Sequence, residues 1–225
     1  MQKSFYVTGI GTDIGKTVAS SILVQALKAH YWKPIQCGGL DFTDTDSVKK
    51  LINWKDSDKK IILHNERFKF KAPQSPHIAS KKENIQINLA DLAIPKHYQN
   101  TGSAAPLIIE GAGGLMVPLN DNDLQIDLIE QLKIPVIFIS RHYLGSYNHT
   151  LLTAEALKKR KIPVKGIIFN GKVDQEAEKT LCRFSNLPLL GRIPQLESLD
   201  AQSVQIIAKN MIEEFNILNK LGSVS

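Results

Sequence analysis

Short apolar runs alternate with longer stretches in which apolar positions recur every three or four residues. The runs at 5–9, 34–37, 107–110, 136–140, 164–170 and 189–191 read as strands. The stretches at 16–30, 46–51, 86–99, 125–132, 147–159, 175–184 and 201–218 carry the helical period. Two runs, Leu107-Ile108-Ile109 and Val136-Ile137-Phe138-Ile139, are apolar throughout, as expected of strands buried on both faces. Such alternation predicts an α/β fold, a mostly parallel β-sheet covered by helices on both faces. No repeat or low-complexity linker interrupts residues 1–225, so one domain is expected. Ligands of open parallel sheets bind beyond the carboxyl ends of the strands. The turns after Gly9, Cys37, Glu110, Ser140 and Asn170 are therefore expected to share one crevice.

Composition narrows the class. With 43% hydrophobic and 22% charged residues, the chain matches neither a disordered nor a collagen-like protein. At this length folding buries about 70% of the chain's surface, enough for a core without staples. Cys37 and Cys182 make no disulfide framework, and no CxxC or Cys/His metal spacing occurs. The excess of 28 Lys and Arg over 22 Asp and Glu is spread over the pairs Lys49-Lys50, Lys59-Lys60 and Lys81-Lys82 and the run Lys158-Lys159-Arg160-Lys161. That run reads as a last helical turn, where cations complement the macrodipole, so neither nucleic acid nor membrane is expected as a partner. Met1-Gln2-Lys3-Ser4 leads straight into the first strand, unlike a signal peptide. No apolar run approaches the ~18 residues of a membrane span, and a cytoplasmic location is expected.

The first strand runs into Gly9-Ile10-Gly11-Thr12-Asp13-Ile14-Gly15-Lys16-Thr17, followed by a helical pattern. A phosphate-binding loop needs glycines that turn backbone N–H groups inward and a helix amino terminus facing the anion. It also needs a lysine for the β/γ-phosphates and a hydroxyl for Mg²⁺. Lys16 and Thr17 fill the last two roles. The usual G-x4-G-K-[ST] spacing is stretched by one residue, from Gly9 to Gly15. A P-loop NTPase-like, three-layer α/β/α domain follows.

Mg²⁺ is usually held by one or two carboxylates together with phosphate oxygens. Glu110 ends an apolar strand and precedes Gly111-Ala112-Gly113-Gly114, small residues that let a ligand approach the backbone. Asp46 lies in Asp44-Thr45-Asp46-Ser47 at the start of a short helix, where either aspartate could instead cap it. Lys33 opens the run Lys33-Pro34-Ile35-Gln36-Cys37-Gly38-Gly39. His77, His142 and His149 have no zinc-like spacing.

Taken in order, these segments resemble the dethiobiotin synthetase family. The resemblance rests on Tyr6-Val7-Thr8-Gly9 with Asp13-Ile14-Gly15-Lys16-Thr17-Val18, on Lys33-Pro34-Ile35-Gln36-Cys37-Gly38, and on Pro73-Gln74-Ser75-Pro76-His77-Ile78-Ala79-Ser80. Glu110-Gly111-Ala112-Gly113-Gly114 with Pro118-Leu119, and Leu144-Gly145 with Asn148-His149-Thr150, complete it. Gly166-Ile167-Ile168-Phe169-Asn170 and Leu190-Gly191-Arg192-Ile193-Pro194 extend it to roughly residues 3–200. The resemblance implies ATP- and Mg²⁺-dependent joining of CO₂ to 7,8-diaminononanoate and closure of a cyclic urea. Lys16 would hold the phosphates, with Thr17, Asp46 and Glu110 binding Mg²⁺. Lys33 would sit between a substrate carbamate and the γ-phosphate. The loop Asp13, Ile14, Gly15, Lys16, Thr17 and Val18, helped by the backbone of Glu110, Gly111, Ala112 and Gly113, would cradle the triphosphate. Asn170 with Pro194, Gln195 and Leu196 resembles the adenine-recognition positions. Thr12 and Cys37 match substrate-side positions, Cys37 standing where many members carry serine. Gly171 follows Asn170 where some members carry Asp. The family is a homodimer in which the far end of the substrate reaches the partner subunit, and Leu144, Gly145 and Asn148 resemble that carboxylate-binding element.

The main alternative is a ParA/MinD-like dimerising ATPase switch, which shares the loop and the sheet. Those proteins carry a signature lysine five residues before the P-loop lysine, and this chain has Gly11 there. The segment 206–218, with Lys209, Glu213, Glu214 and Asn216, reads as a packing helix and not as a membrane-seeking one. A corrinoid-amidating synthetase would need a glutaminase domain as well, which 225 residues are not expected to hold. A binding-only paralogue is disfavoured by the presence of all the lysines and carboxylates.

Overall fold

The structure, a computed structural model, describes residues 3–55, 61–100 and 104–222; Met1, Gln2, Lys59 and Lys60 lie outside the described residues. In chain order the elements begin β1 (Ser4–Gly9), α1 (Lys16–Leu27), β2 (His30–Trp32), β3 (Ile35–Cys37), α2 (Asp44–Leu51), β4 (Leu63–His64) and β5 (Phe68–Phe70). Next come α3 (Pro76–Lys82), a 3-10 turn (Leu89–Leu92), α4 (Lys96–Asn100), β6 (Leu107–Glu110), α5 (Gln125–Leu132) and β7 (Val136–Arg141). The chain continues through α6 (Ser146–Lys159), β8 (Val164–Gly171), α7 (Gln175–Ser185), β9 (Leu189–Pro194), α8 (Ala201–Glu213) and α9 (Ile217–Leu221).

Seven strands form one parallel sheet in the order β4-β2-β6-β1-β7-β8-β9, with helices on both faces. The two-residue period of a strand sorts neighbours to opposite layers. Val7, Ile108, Ile137 and Ile168 pack with α1 and α8, through residues such as Ile22, Leu23, Val204 and Met211. Tyr6, Ile109, Phe138 and Ile167 pack with α5, α6 and α7, through Leu128, Leu157 and Leu181. β1 is central, and β6, which carries Glu110, lies directly beside it. That adjacency is what brings the phosphate loop and Glu110 together.

Three departures from the sequence reading have local causes. The helix expected over 16–30 stops at Leu27, where Lys28 takes the left-handed conformation (φ 52°) and its N–H bonds the Val24 carbonyl. His30–Trp32 then joins the main sheet against β6. Pro34, which has no N–H to donate, separates it from Ile35–Cys37, which pairs with β5 in a two-stranded sheet of its own. The helix expected over 86–99 is instead the 3-10 turn and the short α4, broken at Ile94-Pro95, since proline disfavours helix in the residue before it. The helix expected over 201–218 is cut after Glu213, and Asn216 (φ 51°) starts α9.

Candidate active site

A cavity of about 750 Å³ opens at the carboxyl ends of β1, β2 and β6. Thr12, Asp13, Gly15, Lys16, Thr17 and Val18 line one wall, with Ala112 and Gly113 beside them. Lys33, Cys37, Asp44 and Glu110 line another, and Pro73 to Pro76 close the far side. The loop is shaped by Asp13 (φ 57°) and Gly15 (φ 89°), and Gly15 caps α1. A Cβ at Gly15 would lie 2.1 Å from Asn170 Nδ2. Asn170 Nδ2 donates to the Ile14 carbonyl at 2.8 Å, so the end of β8 braces the phosphate loop. Lys16 Nζ donates to the Gly11 carbonyl at 2.7 Å, which lays the side chain along the loop.

At the centre of the charged wall is Glu110, 1% exposed. Its Oε1 accepts from Thr17 Oγ1 at 2.8 Å and from Lys33 Nζ at 3.1 Å. Its Oε2 accepts from Tyr31 Oη at 3.0 Å. The Lys33 ammonium also pairs with the Asp44 carboxylate, so it bridges two acids. Burial alone would lower the Lys33 pKa, but Glu110 and Asp44 outweigh it and hold the group above the ordinary lysine value. Burial would raise Glu110, but the Lys33 charge, then the Ser20 and Thr17 hydroxyls and Lys16, outweigh it and hold the carboxyl below its ordinary value. Lys16 is pushed down to about 8, chiefly by burial, against the pull of Glu110. Burial lifts the Cys37 thiol to about 11, so it is a neutral wall group.

Two carboxylates and a hydroxyl, all hard oxygen donors, thus face one cavity beside a phosphate loop. That is the donor set Mg²⁺ uses alongside phosphate oxygens. Among the described residues no group of three His, Cys, Asp or Glu is placed to hold a metal ion.

Asp46 is not part of this constellation. Thr43 caps α2, its Oγ1 accepting from the Asp46 N–H at 3.2 Å, while Asp46 Oδ2 accepts from the Thr43 N–H at 2.9 Å. This reciprocal capping box, led by the Thr43 backbone bond, holds the Asp46 pKa low. Asp46 lines a separate open groove with Phe42 and Trp54. Asp44, two residues earlier, takes the place expected of Asp46. Nor do all five turns converge. Leu144 is fully exposed, Gly145 (φ 99°) caps α6, and Asn148 is exposed, all outside the cavity. Pro194, beside Gly171 in the sheet, is exposed, as is Gln195, and Leu196 packs on the core. Tyr31 escaped the sequence reading because 16–30 read as helix, which hid the strand beyond it.

Residues 3–203 match the family model described as an AAA domain. An ATP-dependent dethiobiotin synthetase BioD of Cytophaga hutchinsonii is 41% identical, with 95% of this chain and 98% of the relative covered. That of Christiangramia forsetii is 42% identical over 96% and 97%. The chain belongs to the dethiobiotin synthetase family. Beyond that family, its fold has distant likenesses among solved structures. A ParA family ATPase from Chlorobium tepidum superposes with a TM-score of 0.59 at 13% identity, over 99% of this chain and 100% of that one. The septum site-determining protein MinD of Pyrococcus horikoshii, complexed with Mg-ADP, gives 0.54 at 13% over 95% and 97%. These share the fold alone. No helix among the described residues is long and apolar enough to cross a membrane.

Proposed function

We propose that the chain is an ATP-dependent dethiobiotin synthetase, converting 7,8-diaminononanoate, CO₂ and ATP into dethiobiotin, ADP and phosphate. One amine of the substrate and CO₂ form a carbamate. A carbamate oxygen attacks the γ-phosphorus, the bond to ADP breaks, and a carbamic–phosphoric anhydride results. The second amine attacks its carbonyl carbon, the cyclic urea closes and phosphate leaves. Both amines are held beside one carbon, so closure is effectively intramolecular.

The observation that carries this reading is the buried Lys33 ammonium, bridged to Glu110 and Asp44 and sharing Glu110 Oε1 with Thr17 at the end of the phosphate loop. Carbamate and γ-phosphate are both anions, and bringing them together needs a fixed positive charge between them. Lys33 is charged at neutral pH and held in place by two acids, which suits that task. Lys16 and the loop backbone bind the phosphates. Thr17, Asp44 and Glu110 would hold Mg²⁺, which supplies neutralisation of phosphate charge. Thr12 and Cys37, which both line the cavity, would contact the substrate. Asn170, with Pro194, Gln195 and Leu196, would receive the adenine, because Asn170 Oδ1 remains to accept while its Nδ2 braces the loop. The exposed start of α6, with Leu144, Gly145 and Asn148, would meet the substrate carboxylate bound in a second copy, so the working unit is a homodimer. Incubating the protein with ATP, Mg²⁺, bicarbonate and the diamine, with mass spectrometry of the products, tests this. A mass gain matching carbonyl insertion and requiring both ATP and bicarbonate is expected. ATP turnover without that product overturns the reading, and ATP turnover stimulated by DNA or lipid favours the partner-switch class.

A further inference from the structure

The two oxygens of Glu110 have different surroundings. Oε1 faces Thr17 Oγ1 and Lys33 Nζ at the cavity wall. Oε2 turns inward, where Tyr31 Oη donates to it at 3.0 Å. Tyr31 is fully buried and belongs to the apolar cluster beneath α1. Its position opposite Ile108 on β6 puts it on the same sheet face as Glu110, two residues further along that strand. It lies behind the carboxylate and is not among the residues lining the cavity. Facing a carboxylate, the phenolic O–H is the donor of this bond.

We infer that Tyr31 is a positioning residue for metal-bound ATP: its hydroxyl anchors Glu110 Oε2 in the core and so turns Oε1 toward Thr17 and the cavity. This rests on the reading of Thr17, Asp44 and Glu110 as the residues that would hold Mg²⁺. The terminal torsion of a glutamate is broad and roughly two-fold, so a carboxylate without an inner donor is not fixed in plane. With Tyr31 removed, both oxygens can turn to the nearby Lys33 ammonium, and the orientation that serves a cation is lost. Ligand carboxylates are commonly held by such outer hydrogen bonds, and removing one costs about 10- to 100-fold in metal affinity.

The test is Tyr31→Phe in the full chain, which keeps the ring and removes only the hydroxyl. Binding of a fluorescent non-hydrolysable ATP analogue is followed as Mg²⁺ is titrated, and again in EDTA. The Mg²⁺ concentration for half-maximal binding is expected to rise about 10- to 100-fold, with binding in EDTA unchanged within about twofold. Tyr98→Phe removes another buried hydroxyl, one bonded to the Lys3 and Ala105 carbonyls, and is expected to leave the Mg²⁺ midpoint unchanged. A Glu110→Gln background should abolish the further effect of Tyr31→Phe, because a residue acting through Glu110 cannot add to its loss. An unshifted Mg²⁺ midpoint, or an equal shift in both backgrounds, overturns the inference. If wild-type binding ignores Mg²⁺, the metal reading falls and this inference with it. If wild type binds the Mg²⁺ complex but forms no dethiobiotin, only the reaction assignment falls.

Discussion

The carboxyl ends of β6 and β7 lie on either side of β1 and are built in opposite ways. At β6, Glu110 is buried and bonded to Thr17, Tyr31 and Lys33, so each charge has its partner within one chain. At β7, the chain emerges into Tyr143, Leu144 and Tyr147, all exposed, with Leu144 uncovered on every side. The first region needs no second molecule to hold its geometry. The second leaves large apolar side chains in water beside the amino end of a 14-residue helix. A site that handles phosphate needs preorganised charge, because reorganising it during the reaction would cost what catalysis gains. On the function proposed above, the second region would hold the far end of the substrate, which asks less and which a neighbouring copy could supply.

Lys33→Ala breaks this comparison most sharply. It should lower dethiobiotin formation by about 10³-fold, the upper end of what losing one charge-stabilising donor costs, while leaving nucleotide affinity within a few fold. Normal turnover by this variant, measured by product mass, would remove Lys33 from the mechanism. Asp44→Asn comes next, with a drop of roughly 10²-fold in turnover and a raised Mg²⁺ requirement, read by steady-state assay across a metal titration. Damage at the β7 side should look different: Leu144→Asp is expected to raise the KM for the diamine about 10-fold or more and to shift the protein toward monomer in sedimentation, with ATP affinity unchanged. A variant that stays dimeric with an unaltered KM would detach α6 from the substrate.

The smallest effects fall outside both regions. Asp46→Ala removes half of the α2 capping box and should cost about 1 kcal/mol in denaturant unfolding, with activity retained within about twofold. An activity loss rivalling that of Asp44→Asn would restore Asp46 to the site. At the sheet edge, burial and then the neighbouring His30 and His97 push the His64 pKa down to about 4. The unfolded chain, with an ordinary histidine near 6.5, binds the proton more readily. The stability from neutral His64 is therefore fully present above about pH 6.5 and lost as pH falls toward 4. Thermal midpoints should decline across that window, and less steeply in His64→Phe.

Much of the active-site half was legible from residue order. Gly15, Lys16 and Thr17 sit between a strand and a helix, and Glu110 ends an apolar run, both short-range patterns that survive folding unchanged. The two aspartates were not separable, because Asp44 and Asp46 are equally plausible at a helix start. Positions two apart on a helix do not face the same way, so once Thr43 capped α2, one aspartate turned to the cavity and the other to the cap. Tyr31 was hidden because the 3.6-residue period runs past Leu27 in sequence, whereas Lys28 stops the helix in space.

Hydrophobic period, glycine spacing and the order of motif blocks determined the parallel sheet, the phosphate loop and the family, because each is set by neighbours along the chain. Only the tertiary structure decided that Asp44 joins Lys33, that Asn170 braces Ile14, that Tyr31 stands behind Glu110 and that Leu144 stays outside. Those outcomes depend on strand order and helix phase, which bring together residues that no local pattern relates.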